Sequence, residues 1–171
     1  MWPVEAYKRW RHGRGFGVHS PYAYRMVSEV LRPQRGYGYY AYGAIVRSIS
    51  REKASVDVRE ALMIFRLVLA LRPATVALKC DDRAVVRVLE RVVALACPSA
   101  RLADDGEMLL CIGRADAGNC HSRHAYFSDS GNPALASLAA GMTAGHIYRN
   151  PRRAVVAGES YLPLQTFEIA F

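Results

Sequence analysis

The hydrophobic pattern of the chain changes abruptly at Pro73, and this change restricts the fold more than any other feature of the sequence. From Asp57 to Pro73 the apolar residues cover most sides of a helix, which predicts a helix packed against a sheet. Proline disfavours helix at the residue before it, so the helix must end there. Residues 75–78 form a short run of β-favouring apolar residues, typical of the first strand of an α/β sheet.

The rest of the chain continues this alternation of helix and strand. Ser20 followed by Pro21 predicts a helix start, because the hydroxyl can cap free amides and the proline ring already has a helical φ. Asp81 or Asp82 can cap a further helix, but residues 84–96 fit either one helix or a short helix and then a strand over 92–95. Further elements are predicted at 107–112 (strand), 133–140 (helix), 146–148 and 166–171 (strands), with a candidate strand at 154–156. The pattern therefore predicts an α/β layer fold.

Length and composition fit one globular domain without a membrane span. The chain has 171 residues, of which 51% are hydrophobic and 22% charged. Its longest apolar stretch, residues 61–71, is interrupted by Arg66 and is shorter than the roughly 20 residues that a bilayer requires. Pro3, Glu5 and several Arg and Trp residues stand where a signal peptide needs an apolar core. We therefore expect a cytoplasmic protein.

The cysteines and histidines do not predict a metal site. Four cysteines show no close pairing pattern, so thiols are expected. The spacing of Cys111, Cys120, His121 and His124 matches no common zinc module.

Positive charge is concentrated near the N-terminus. The net charge is +8, and seven basic against two acidic side chains give residues 1–35 +5 of it. Aromatic residues are interleaved with these cations, as on surfaces that neutralise phosphates and stack on bases. The simpler interpretation is a solvated arm whose rings pack onto the domain. The alternatives are a nucleic-acid-binding arm and a homodimer formed through the aromatic segment.

Residues 15–22 carry a family resemblance. They read Gly-Phe-Gly-Val-His-Ser-Pro-Tyr, and an apolar helix is predicted to follow. This Gly-x-Gly-x-His-Ser-Pro-aromatic motif resembles the N-terminus of a group of class I S-adenosylmethionine-dependent methyltransferases common in Bacteroidetes. Weaker similarities follow in the same order at residues 39–42, 64–76, 95–100, 145–151 and 164–169.

The resemblance implies an α/β fold with a reduced Rossmann-like methyltransferase sheet, N-terminal helices and a C-terminal antiparallel strand pair. The basic, aromatic arm and helices would occupy residues 1–56, and one compact methyltransferase-like core would occupy 57–171. It also favours the helix-then-strand alternative for residues 84–96.

The positions that would bind the cofactor depart from the family pattern at the first strand. The resemblance implies an acidic residue and a glycine-rich turn there, because a side chain would block close approach of the backbone. Leu78 stands at the acidic position, and Cys80 and Ala84 stand at glycine positions. Asp81 and Asp82 add negative charge where the carboxylate of the cofactor would lie.

Two more family contacts are expected to be lost. Ala96 stands where the second strand should end in an acid that holds the ribose hydroxyls, and Gly113 follows Ile112 where another acid is usual. His19 and Ser20 are the remaining cofactor-site candidates, although the His19 ring is more simply interpreted as capping the helix start.

No catalytic residue is predicted. We therefore expect a degenerate methyltransferase that binds S-adenosylmethionine weakly or not at all and acts as a pseudoenzyme. If it were active, it would transfer a methyl group to an unknown acceptor.

Overall fold

The computed structural model describes residues 4, 20–33, 40–118 and 121–171. His19, Cys120 and most of the basic, aromatic arm lie outside the described residues. The predictions that depend on them, including nucleic-acid binding through the arm, therefore concern a part of the chain that this structure does not describe.

Five α-helices form in the described residues, and most begin at a side-chain cap. Helix α1 (Pro21–Arg25) continues as a π-helix over Met26–Leu31. The Ser20 hydroxyl accepts a hydrogen bond of 3.3 Å from the Ala23 amide, which confirms the predicted helix start. The other helices are α2 (Tyr42–Glu52), α3 (Val58–Leu71), α4 (Arg83–Ala96) and α5 (Pro133–Gly141), of which the last three begin after Asp57, Asp82 and Asn132. None of these helices is long and apolar enough to cross a bilayer.

Seven strands form one mixed sheet in the order β2-β1-β3-β4-β6-β5-β7. Strands β1 to β4 are parallel, β6 is antiparallel to both β4 and β5, and β7 is parallel to β5. The fold is therefore α/β and consistent with a Rossmann-like architecture, as the sequence predicts at this level. The bounds are β1 Thr75–Lys79, β2 Arg101–Leu102, β3 Met108–Cys111, β4 His124–Phe127, β5 His146–Arg149, β6 Ala154–Ala157 and β7 Gln165–Glu168.

The core lies on both faces of this sheet. Alternate strand residues point to opposite faces, so in β3 Met108 and Leu110 join one hydrophobic cluster while Leu109 and Cys111 join the other. The larger cluster includes residues of α1, the π-helix, α2, α3 and α4. The smaller one lies under α5. Residues of the 20–56 segment therefore share a core with the rest of the chain.

The prediction of a strand at residues 92–95 is wrong. Helix α4 runs unbroken to Ala96, and its buried side chains recur at helical spacing: Val85, Val88, Leu89, Val92, Val93 and Ala96. The second strand comes later, at Arg101–Leu102. The periodicity alone allowed this helix, and the family resemblance led to the wrong choice between the two alternatives.

The predicted closing pair of strands is also corrected. The strands near 146–148 and 166–171 exist, but as β5 and β7 they lie parallel to each other. The antiparallel partner of β5 is β6, which lies between β4 and β5.

The sequence analysis also missed β4, because residues 121–124 have the polar composition of a loop. All four residues of β4, including His124, are buried.

Candidate cofactor site at the carboxyl edge of the sheet

The strand order places a topological switch point between β1 and β3. The chain leaves β1 toward β2 on one side, whereas β3 and β4 follow on the other side. In open α/β sheets, ligands bind outside the carboxyl ends of the strands at such a point. The candidate site is therefore formed by the turn after β1 (residues 80–82) and the segment after β3 (residues 112–114).

Asp82 closes the turn between β1 and α4. One carboxylate oxygen accepts from the amides of Ala84, at 2.8 Å, and Val85, at 3.4 Å. The other oxygen accepts from the Ser55 hydroxyl at 3.2 Å. The Ala84 amide is the main cause of a lowered pKa for Asp82, so the carboxylate is ionised at neutral pH. Two of the free amides of this helix start, a place that commonly binds an anionic ligand, are thus occupied by the chain's own anion.

The other predicted positions on β1 and α4 lie close to this cap. Leu78 and Cys80 are half-buried against the larger core cluster, and Asp81 is exposed. Burial is the main cause that raises the pKa of the Cys80 thiol, and the nearby Asp81 and Asp82 charges raise it further. Cys80 is therefore a neutral thiol at pH 7 rather than a nucleophile. Ala84 is half-buried in the first turn of α4.

On the β3 side, the site is formed by the backbone of Ile112 and Gly113 and by the positively charged side chain of Arg114. The Ile112 amide donates to the Lys79 carbonyl at 2.9 Å, which holds the two strand ends together. Gly113 has a φ of +72°, and its amide donates to the Ser128 hydroxyl at 2.6 Å. Arg114 is exposed, with its Nε 3.7 Å from a carboxylate oxygen of Asp129. No acidic side chain comes from residues 111–114.

Two predicted residues lie away from this site. Ala96 ends the 14-residue helix α4, about 20 Å along the helix from the Asp82 cap. Ser20 lies two residues before Tyr22, whose ring packs edge-on against His146 at 5.9 Å between ring centroids. His146 begins β5, which runs in the same direction as β1, so Ser20 lies near the amino edge of the sheet.

Acidic residues do follow the second strand, but this strand lies further along the chain than the sequence analysis placed it. The Ala103 amide donates to the Val76 carbonyl at 3.0 Å, which extends the β1–β2 ladder, and Asp104 and Asp105 follow. Asp104 therefore stands at the carboxyl end of β2, and the interpretation of Ala96 as the replaced acid is wrong. Unbroken helical periodicity through Ala96, followed by Pro98, was the signal that would have found it.

Comparisons with protein-family models, with curated proteins and with solved structures find no match to this chain. Within the described ranges, no group of three or more His, Cys, Asp or Glu side chains is placed to hold a metal ion.

Proposed function

We propose that this chain is an S-adenosylmethionine-dependent methyltransferase-like protein whose cofactor site is degenerate, so that it binds the cofactor weakly or not at all. The resemblance of residues 15–22 to the family motif supports descent of this chain from such methyltransferases. The parallel strands β1 to β4, with a switch point beside β1 and an antiparallel strand further along the sheet, are compatible with it.

The Asp82 cap is the observation on which the loss of binding depends. A ligand carboxylate brought to the start of α4 would face the Asp82 carboxylate at close range, and the two negative charges repel. The amides of Ala84 and Val85 have no capacity left, since both already donate to Asp82. Side chains at Cys80 and Ala84 also occupy the space that glycines would leave to the ligand.

Asp104 could still make one of the contacts that the family resemblance implies, the one to the ribose of the cofactor. An acid at the end of the second strand can accept hydrogen bonds from ribose hydroxyls. Of the expected losses, those after β1 and after β3 remain. One retained contact does not offset them, because each missing hydrogen bond to a buried polar group costs about 1 to 3 kcal/mol.

Isothermal titration of the full chain with S-adenosylmethionine and with S-adenosylhomocysteine tests this proposal. We expect no saturable heat in the micromolar range, and no incorporation above background with methyl-labelled cofactor. Low-micromolar binding would overturn the proposal.

The matched pair Asp104→Ala and Asp105→Ala then identifies the site of any binding that is found. Specific loss in Asp104→Ala would place the ribose at the end of β2 and support an active enzyme. Without such binding, the fold serves as a non-catalytic interaction module.

A further inference from the structure

Helices α2 and α4 pack antiparallel and enclose a cleft on their outer side. The Tyr40 hydroxyl, before the start of α2, donates to the Leu95 carbonyl near the end of α4 at 2.7 Å. At the other end of the pair, Glu52 forms an ion pair of 2.5 Å with Arg87. The cleft has a volume of about 660 Å³ and is lined by Ala44, Arg47, Ser48, Arg51 and Arg91.

The charge around the cleft is strongly positive. Arg51 and Arg87 share the single carboxylate of Glu52, at 2.9 and 2.5 Å. Arg47 and Arg91 form no ion pair with any described residue. Apart from Glu52, the only acidic side chain on α2 or α4 is the exposed Glu90. The cleft therefore carries an excess of guanidinium groups.

Ser48 supplies a second, independent feature. It is only 6% exposed, lines the cleft, and its hydroxyl has no hydrogen-bond partner among the described residues. Leaving a buried hydroxyl unpaired costs free energy. A ligand atom that accepts a hydrogen bond from this hydroxyl would remove that cost, which favours binding of the ligand. Guanidinium groups and a hydroxyl together form a donor set that fits the oxygens of a phosphate group.

We propose that the α2–α4 cleft binds a phosphate group, carried either by a small phosphorylated molecule or by a nucleic-acid backbone. Arg47, Arg51 and Arg91 would neutralise its charge, and the Ser48 hydroxyl would donate to one of its oxygens. This site goes beyond the proposed methyltransferase-like function, because it uses none of the residues of the β1–α4 turn. It remains testable whether or not S-adenosylmethionine binds.

Calorimetric titration of the full chain with sodium pyrophosphate at low salt is the first test. We expect saturable binding that weakens about tenfold or more in Arg47→Gln/Arg91→Gln, since two charge-assisted contacts are removed. The control Arg59→Gln/Arg83→Gln removes the same charge from exposed positions outside the cleft and should stay within about twofold of the wild type. No binding by the wild type, or an equal loss in the control, would overturn the proposal.

Ser48→Ala separates a binding role from a structural one. Because the hydroxyl is unpaired in the free protein, its removal should leave the melting temperature unchanged or raise it. Pyrophosphate affinity should nevertheless fall about threefold to tenfold. Unchanged affinity in this variant would overturn the assignment of Ser48.

A fluorescent single-stranded RNA of ten nucleotides distinguishes the two sources of the phosphate group. If RNA binds, if its binding requires Arg47 and Arg91, and if pyrophosphate displaces it, the phosphate group comes from a nucleic-acid backbone. Binding of pyrophosphate without RNA supports a small phosphorylated ligand. If neither probe binds, or if RNA binding is the same in the Arg47→Gln/Arg91→Gln variant, the cleft is not a phosphate site.

Discussion

Gly145 leads into β5 with a φ of +111°, a conformation that side chains other than glycine rarely adopt. A Cβ atom at this position would lie 2.5 Å from the Ala157 carbonyl oxygen and 2.9 Å from the Gly158 Cα. Both neighbours are backbone, so the side chain could not be accommodated by a rotamer change. The glycine is therefore required by the way β5 approaches β6.

We predict that Gly145→Ala lowers the free energy of unfolding by about 2 kcal/mol or more, because strain and a backbone clash act together. The control is Gly141→Ala, where a Cβ would meet nothing within 4 Å. Urea denaturation of both variants checks this, and equal effects would contradict the prediction.

Asp82 contributes to stability as a cap, and its lowered pKa gives that contribution a pH dependence. A carboxyl whose pKa is lower in the folded state stabilises the fold above its unfolded pKa. That stabilisation is lost as the pH falls through the folded value. The cap should therefore act fully at neutral pH and fail only in acid, below the ordinary pKa of an aspartate side chain.

We predict that Asp82→Ala lowers the melting temperature at pH 7, whereas Asp82→Asn keeps most of the cap, since its amide oxygen can still accept from the Ala84 amide. The neighbouring exposed Asp81→Ala is the matched control and should leave the melting temperature unchanged. Thermal melts monitored by circular dichroism provide the measurement. A drop in the Asp81 variant as large as that in Asp82→Ala would rule out the cap as the cause.

At the level of elements, one buried contact ties α3 to the sheet. The Tyr126 hydroxyl of β4 donates to a carboxylate oxygen of Glu60 in α3 at 2.6 Å. Arg153, before β6, lies 3.7 Å from the other oxygen of the same carboxylate. Burial and the Glu60 charge both raise the pKa of Tyr126, so the phenol stays protonated and remains the donor.

We predict that Tyr126→Phe destabilises the fold by about 2 kcal/mol, because the largely buried Glu60 carboxylate loses a charge-assisted hydrogen bond. Tyr42→Phe, at an exposed tyrosine of α2, is the control and should be neutral. Chemical denaturation gives both values. A loss below about 0.5 kcal/mol would mean that this bond contributes little net stability.

Over the whole molecule, two buried histidines couple stability to pH. His124 and His146 lie opposite Ala157 on the two neighbouring strands, and both rings are essentially inaccessible to solvent. Burial lowers the pKa of each, and the Glu159 carboxylate, 3.8 Å from His124, opposes the shift only in part. Both rings are therefore neutral in the folded protein at pH 7.

The sign of the pH effect follows from these lowered pKa values. Below about pH 6.5 the unfolded chain binds protons that the folded chain does not, so stability falls as the pH decreases. Between pH 7.5 and 5.5 we therefore predict that the free energy of unfolding decreases. Urea denaturation across this range checks it, and stability that stays constant or rises on acidification would contradict it.

The variant His124→Gln/His146→Gln should lose most of this pH dependence. His121→Gln, at an exposed histidine, should retain it.

Local signals in the sequence predicted much of the secondary structure. The end of α3 before Pro73, the cap at Ser20, a cap at Asp81 or Asp82, and a helix beginning at Pro133 were all predicted correctly. Each depends on residues within a few positions of one another, because caps and proline act on their own turn of backbone.

Only the tertiary structure determined how these elements pair and which side chains meet. It placed β6 between β4 and β5, buried His124 in a strand, moved the end of the second strand to Leu102 and separated Ser20 from the β1 turn. It also brought Arg91 beside Arg47 and Ser48 across two helices. Such contacts join residues far apart in the chain, and their stability comes from burial in a shared core, which no local pattern specifies.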